Sequence, residues 1–78
     1  NAETGEGYSD ISIQTSDRVG IVIELKYAND GNLESACRVA LEQIEEKKYT
    51  EDLKRRRMRK IIKYGIAFYE KECIVVLA

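Results

Sequence analysis

The chain has 78 residues, of which 44% are hydrophobic and 35% are charged, and its formal net charge is −1. This composition predicts one globular domain covering 1–78 and excludes a chain that is disordered throughout. No apolar run is long enough for a membrane span and no secretory signal opens the chain, so we expect a cytoplasmic protein without membrane contact. Because residue 1 is Asn rather than Met, we expect the chain to be a piece of a longer protein.

The first half of the chain predicts a loop, a β-hairpin and a helix. Residues 1–7 contain two glycines and no hydrophobic period, so they predict a flexible end. Apolar and polar residues alternate over 8–14 and again over 20–27, with turn residues between them, which indicates an antiparallel hairpin. The Asn-Asp-Gly-Asn sequence at 29–32 supplies a helix N-cap, and helical spacing of apolar residues follows it over 33–44.

The second half predicts a shorter helix and two more strands. The helix is expected from Thr50, with acidic residues in its first turn and basic residues after them. Strand patterns cover 60–69 and 74–77, and Tyr64 and Phe68 on the first of these are expected in the core. The order β-β-α-(α)-β-β favours a right-handed parallel crossover between the hairpins. The predicted class is therefore α/β (α+β), with a mixed four-stranded sheet and helix packing on at least one face.

Three polar residues share one face of the first predicted hairpin. Antiparallel pairing should bring Asp10 on the first strand close to Glu24 and Lys26 on the second. Two adjacent carboxylates need a proton or a cation between them, and such oxygen ligands suit Mg²⁺ or Mn²⁺. A lysine ammonium beside them can stabilise negative charge that develops on a phosphate. The alternative is a solvated ion pair between Glu24 and Lys26 that has little energetic consequence.

Four segments resemble the PD-(D/E)XK nuclease superfamily. Residues 8–11 (Tyr-Ser-Asp-Ile) and 21–26 (Ile-Val-Ile-Glu-Leu-Lys) are similar to its paired motifs, although Ser9 replaces the name-giving Pro. Residues 40–49 and 62–69 resemble a bacterial subfamily found as the C-terminal domain of AAA-ATPase-like proteins. The resemblance implies a restriction-endonuclease-like core and a Mg²⁺-dependent endo- or exodeoxyribonuclease, with an AAA-ATPase-like domain in the parent chain.

The resemblance also implies roles for individual residues. Asp10 and Glu24 would bind the metal together with the Leu25 carbonyl, and Lys26 would be the catalytic lysine. Gln43 would face the site from the crossover helix, or it would be a boundary residue without a specific role. Such nucleases usually begin with a helix before the first strand, and this chain has no room for one, so we expect the core to lack its N-terminal helix. That helix often carries another acidic ligand, so the isolated chain is expected to be catalytically incomplete even where its longer parent chain is active.

The remaining expectations concern partners. Six of the seven residues in 54–60, which we call the basic segment, are Lys or Arg. The segment could contact a DNA backbone or form a solvated helix end. A second hypothesis is a catalytically degenerate nuclease fold that binds nucleic acid or protein. A third is a homodimer formed through the hydrophobic edge that the missing N-terminal helix leaves exposed. Cys37 and Cys73 are expected to be reduced and buried. The arginines of the basic segment are the candidate nucleic-acid ligands: Arg55, Arg56, Arg57 and Arg59.

Overall fold

A computed structural model describes residues 10–47 and 49–78 of the chain. Its elements, in chain order, are β1 (Ile11–Gln14), β2 (Val19–Tyr27), α1 (Leu33–Glu46), α2 (Tyr49–Arg55), β3 (Lys60–Tyr69) and β4 (Glu72–Leu77). The predicted order is confirmed, and β4 begins at Glu72 rather than at Ile74. The expected flexible end at 1–7 lies outside the described residues. No helix in the described part of the chain is long and apolar enough to cross a membrane.

The strands form one mixed sheet in the order β1-β2-β3-β4. β1 and β2 are antiparallel, as are β3 and β4, whereas β2 and β3 are parallel and are joined through both helices. Ile11 pairs with Ile23, so extending this register by one residue places Asp10 opposite Glu24. The register on which the predicted polar cluster depends is therefore present.

Both helices pack on the same face of this sheet. α1 begins at the predicted cap, where the Asn32 side chain accepts a hydrogen bond from the backbone N–H of Ser35 at 3.0 Å. Beneath the helices lies a small core whose main buried side chains are Val22, Ile44, Tyr49 and Leu53. Because Val22 and Glu24 point to the same side of β2, the helix-covered face is also the face that carries Glu24.

The opposite face, which we call the open face, has no helix on it within the described residues. It carries the alternate side chains of β2 and β3, including Ile23 and Leu25. Tyr64 and Phe68 also lie there, with Phe68 39% exposed, so the expectation that they belong to the core was wrong. The helices have covered the less apolar side of the sheet.

The two cysteines differ in their surroundings. Cys37 is buried under α1, and its thiol donates to the Gly65 carbonyl at 3.4 Å. Cys73 is a free thiol too, but it is exposed, so the expectation of two buried thiols was half wrong. Cys73 is paired with Phe68 in the β3–β4 register, which directs its side chain to the open face.

The closest approach between α1 and the sheet depends on Gly65. A Cβ atom at this position would lie 2.9 Å from the Cys37 carbonyl oxygen and 3.0 Å from the Leu41 Cγ. At Gly20 a Cβ would also meet an atom at 2.9 Å, but that atom is the Leu53 Cδ1, at the end of a side chain. Backbone cannot rotate away from an added methyl group, whereas a leucine side chain can.

We therefore expect Gly65→Ala to lower the free energy of unfolding by about 1–3 kcal/mol, the usual cost of overpacking a filled core. Gly20→Ala is the matched control and should cost less, because Leu53 can change rotamer. Urea unfolding followed by circular dichroism measures both variants. Equal losses for the two variants would contradict this account of the contact between α1 and the sheet.

Candidate active site

Asp10 is held beside the central strand by a backbone hydrogen bond. It immediately precedes β1, and its Oδ2 accepts the backbone N–H of Leu25 at 2.8 Å. This bond crosses from the β1 side to β2 at a point next to Glu24. The Asp10 side chain is exposed, so its carboxylate can meet a ligand that arrives from solvent.

Glu24 is a carboxylic acid buried under the helices. The residue is only 6% exposed, and its Oε1 atom is fully buried with no hydrogen-bond partner in the part of the chain described. Burial raises the pKa of Glu24, and the negative charge of Asp10 raises it further. Lys26, the Asp10 backbone amide and Lys47 act in the opposite direction. The folded chain therefore bears the cost of an unsatisfied polar atom at this point.

Lys26 and the Leu25 backbone complete the group around the two acids. Lys26 lies two residues beyond Glu24 on the same face of β2, and it forms no ion pair or hydrogen bond with the described residues. In an extended strand the N–H and the C=O of one residue point toward the same neighbour. Since the Leu25 N–H reaches Asp10, the Leu25 carbonyl also points toward the β1 side, where Asp10 lies.

These groups have the chemistry that a hard divalent cation requires. Carboxylate and carbonyl oxygens are the preferred protein ligands of Mg²⁺, which commonly takes only one or two carboxylates and keeps several water molecules. A cation between Asp10 and Glu24 would also compensate the unpaired Glu24 oxygen. Within residues 10–47 and 49–78, no three acidic or cysteine side chains are grouped closely enough to hold a metal by themselves. The donor set thus fits a cation only if the Leu25 carbonyl and water contribute.

The crossover helix brings further residues toward the acids. Gln43 is partly exposed on α1, and its side chain makes no hydrogen bond to Asp10, Glu24 or Lys26 among the described atoms. Lys47, one turn further along the chain, is close enough to lower the pKa of Glu24. Because residues four apart share a side of a helix, Gln43 lies on the same side of α1 as Lys47.

Tyr49 is a residue of the site that sequence reasoning missed. It is buried at the start of α2, and burial followed by the charges of Glu24 and Asp10 raises the pKa of its hydroxyl. Its only signal in the sequence is its position four residues before Leu53, which places both on the inner side of α2. Tyr49 thus forms part of the wall around the two acids.

Most arginines of the basic segment are engaged with acidic residues of the same chain. Asp52 binds Arg55 and Arg56, at 3.6 and 3.2 Å, and Asp17 binds Arg59 at 3.1 Å. These pairs are exposed, and such pairs contribute little to stability, so their arginines can exchange partners at small cost. Arg57 is exposed, has a left-handed backbone (φ 62°) and has no ion-pair partner among the described residues.

The basic segment and the acids are connected along one face of β1. Arg56 donates to the Gln14 side chain at 3.5 Å, and Gln14 shares its face of the strand with Ser12 and Asp10. Four strand residues span about 13 Å. The contact of Arg56 with β1 therefore lies about 13 Å along the strand from Asp10, outside the site.

Replacing Glu24 by Gln should raise the free energy of unfolding at neutral pH when divalent cations are absent. Because the pKa of Glu24 is higher in the folded chain than its ordinary value of 4.5, the folded state binds the proton more tightly. Stability must then fall as the pH rises from that value through the raised pKa. The advantage of Glu24→Gln should be largest near pH 7 and shrink toward pH 4, as thermal unfolding in a chelator would measure.

Glu42→Gln is the control for this experiment, because Glu42 is exposed on α1 and its charge should matter little. A Glu24→Gln variant that is less stable than the unmutated chain at pH 7 would show that Glu24 is not a strained, desolvated acid.

Comparison with known proteins agrees with this arrangement at the level of the superfamily. The family model described as the PD-(D/E)XK nuclease superfamily matches residues 1–77. Neither the curated proteins nor the solved structures give a match. The fold, a mixed four-stranded sheet in the order β-β-α-α-β-β, is consistent with that superfamily. The chain therefore belongs to the PD-(D/E)XK nuclease superfamily.

Proposed function

We propose that this nuclease-like domain hydrolyses phosphodiester bonds of DNA, with Mg²⁺ or Mn²⁺ held by Asp10, Glu24 and the Leu25 carbonyl. The observation that carries the proposal is a buried Glu24 oxygen, without a hydrogen-bond partner among the described residues, next to the exposed carboxylate of Asp10. If Glu24 only formed a structural ion pair with Lys26, its buried oxygen would have a partner among the described residues. When bound, the divalent cation offsets negative charge on the phosphate and activates a water molecule.

The protein's own residues have distinct tasks in this proposal. The Leu25 N–H fixes the Asp10 carboxylate, so that it is positioned before substrate arrives. The Lys26 ammonium, which has no partner among the described residues, stabilises the extra negative charge that develops on the phosphate as water attacks. Gln43 contributes to substrate or water placement from α1, and Tyr49 excludes bulk water from the buried side of Glu24.

The basic segment would supply affinity rather than chemistry. Arg55, Arg56, Arg57 and Arg59 are all exposed. Arg56 contacts Gln14 and Arg59 contacts Asp17, near the end of β1 remote from Asp10. A strand of B-DNA carries one phosphate per ~3.4 Å of axis, so the ~13 Å between Gln14 and Asp10 corresponds to about four nucleotides. DNA bound through its backbone at the arginines could therefore continue along β1 to the acids.

A second candidate is a degenerate nuclease fold that binds nucleic acid or protein, attached to an AAA-ATPase-like domain of a longer parent chain. What favours it is that the described residues offer only two acidic side chains at the site and no group of three. Such a module would keep the arginine contacts and would need no cation.

We expect a longer parent chain that contains these 78 residues to cleave labelled single- or double-stranded DNA with Mg²⁺ or Mn²⁺ and to lose that activity in a chelator. Asp10→Asn, Glu24→Gln and Lys26→Met should each lower the cleavage rate by roughly 100-fold or more, the usual effect of removing a group that stabilises transition-state charge. Glu70→Gln and Lys71→Met, which change exposed charges at the β3–β4 turn, are the matched controls.

Binding measurements separate the two candidates. Replacing Arg56 and Arg57 by Gln should weaken DNA affinity and reduce its dependence on salt, while the three site variants should keep their affinity. Cleavage that is undiminished in any two of the site variants would refute the catalytic assignment. DNA binding without any cleavage by the parent chain would support the degenerate module instead.

A further inference from the structure

The open face of the sheet is a continuous apolar surface. Seven of its side chains are large and more than a third exposed: Ile11, Ile13, Leu25, Tyr27, Phe68, Val75 and Leu77. Val75 and Leu77 reach 55% and 60%. Within the described strands, Lys60 is the only charged residue whose side chain points to this face, and it stands at the first position of β3. Soluble monomers rarely expose apolar patches larger than a few hundred Å².

The size of the open face is close to what a stable pair of chains requires. Each strand residue covers roughly 16 Å² of sheet, from a rise of ~3.3 Å and a strand spacing of ~4.8 Å. The four strands then present roughly 450 Å² in projection, and side-chain relief adds to this accessible area. Two such faces together reach the ~1,000 Å² that specific interfaces bury.

Charges at the two ends of the sheet favour one orientation. Where β2 and β3 begin, Arg18, Arg59 and Lys60 outweigh Asp17, which pairs with Arg59, so this rim is basic. Where β3 turns into β4, Glu70 and Glu72 outweigh Lys71. A two-fold axis that lies in the interface across the strands places the basic rim of one copy over the acidic rim of the other. An axis along the strands would bring like charges together.

We propose that two copies of this chain pack face to face through the open face, about such an axis, as an aligned sheet sandwich. The occupant is a second copy because the surface is apolar except for Lys60 at its end and complementary to itself, and its rim charges match when the strands run in opposite directions. Asp10, Glu24 and Lys26 lie on the other face of each sheet, so the dimer leaves both sites open. The proposal is accordingly independent of the catalytic assignment.

Analytical ultracentrifugation of the chain in reducing buffer tests the dimer, since reductant prevents a disulfide through exposed Cys73. We expect dimers at micromolar concentration. Val75 pairs with Ile66 near the middle of β3, which places it close to the axis and opposite its own copy. Val75→Glu should therefore weaken the dimer at least ~100-fold, because two like charges would meet in an apolar interface. Val75→Lys should do the same.

The two Val75 variants mixed together should recover a heterodimer, since Glu then meets Lys. Ile13→Glu should also weaken association, whereas Val39→Glu should not; Ile13 and Val39 are 42% and 41% exposed, but Val39 is on α1. Circular dichroism confirms that each variant is folded. Three results would overturn the proposal. They are an unmutated chain that remains monomeric up to ~100 μM, a dimer that the Val75 variants do not weaken, and a dimer that Val39→Glu weakens equally.

Discussion

The fold buries the carboxylic acid of Glu24 in a small core, and the arrangement of the other elements depends on this burial. Glu24 lies on a central strand of the sheet, under the helices, and is almost fully buried. One of its oxygens has no hydrogen-bond partner in the described part of the chain. The opposing residues on β3 are Gly65 and Ala67, whose size lets α1 approach closely enough to cover the acid. Few large side chains are buried around it, so the core has little surplus stability with which to offset that cost.

This constraint organises the rest of the molecule. One face of the sheet carries the acids, Lys26, the helices and the path along β1 toward the arginines. The other face is apolar and free of helices in the described part of the chain. A cation at the acids would remove the electrostatic cost on the first face, and a second copy of the chain would cover the second. Both proposals therefore follow from features that are unfavourable in the isolated chain.

The local elements could be predicted well because each has a strong local cause. The alternation in β2 and β3, the Asn32 cap and the turn residues around Arg18 determine strands, helix start and hairpin without reference to distant contacts. The pairing of Asp10 with Glu24 followed from the hairpin, since a shift of one residue would move every side chain to the other face.

The tertiary features could not be predicted in the same way. The more apolar face of β2 carries Ile21, Ile23 and Leu25, so the pattern of the strand did not reveal that α1 covers the opposite face with Glu24 and leaves Phe68 half-exposed. The burial of Tyr49 depends on how α2 packs, and the exposure of Cys73 depends on the open face. The pairing of Arg59 with Asp17 joins residues that are far apart in sequence, which composition cannot show.

The most direct test of the central claim, that Asp10 and Glu24 form a divalent cation site, is a Mn²⁺ titration followed by paramagnetic broadening of backbone amide signals. At low Mn²⁺ the account predicts selective loss of the Ile11, Glu24, Leu25 and Lys26 signals, and no such loss in Asp10→Asn. Glu70 and Glu72, exposed acids at the β3–β4 turn, report non-specific binding. Broadening that is equally strong at that turn, or that persists unchanged in Asp10→Asn, would contradict the assignment.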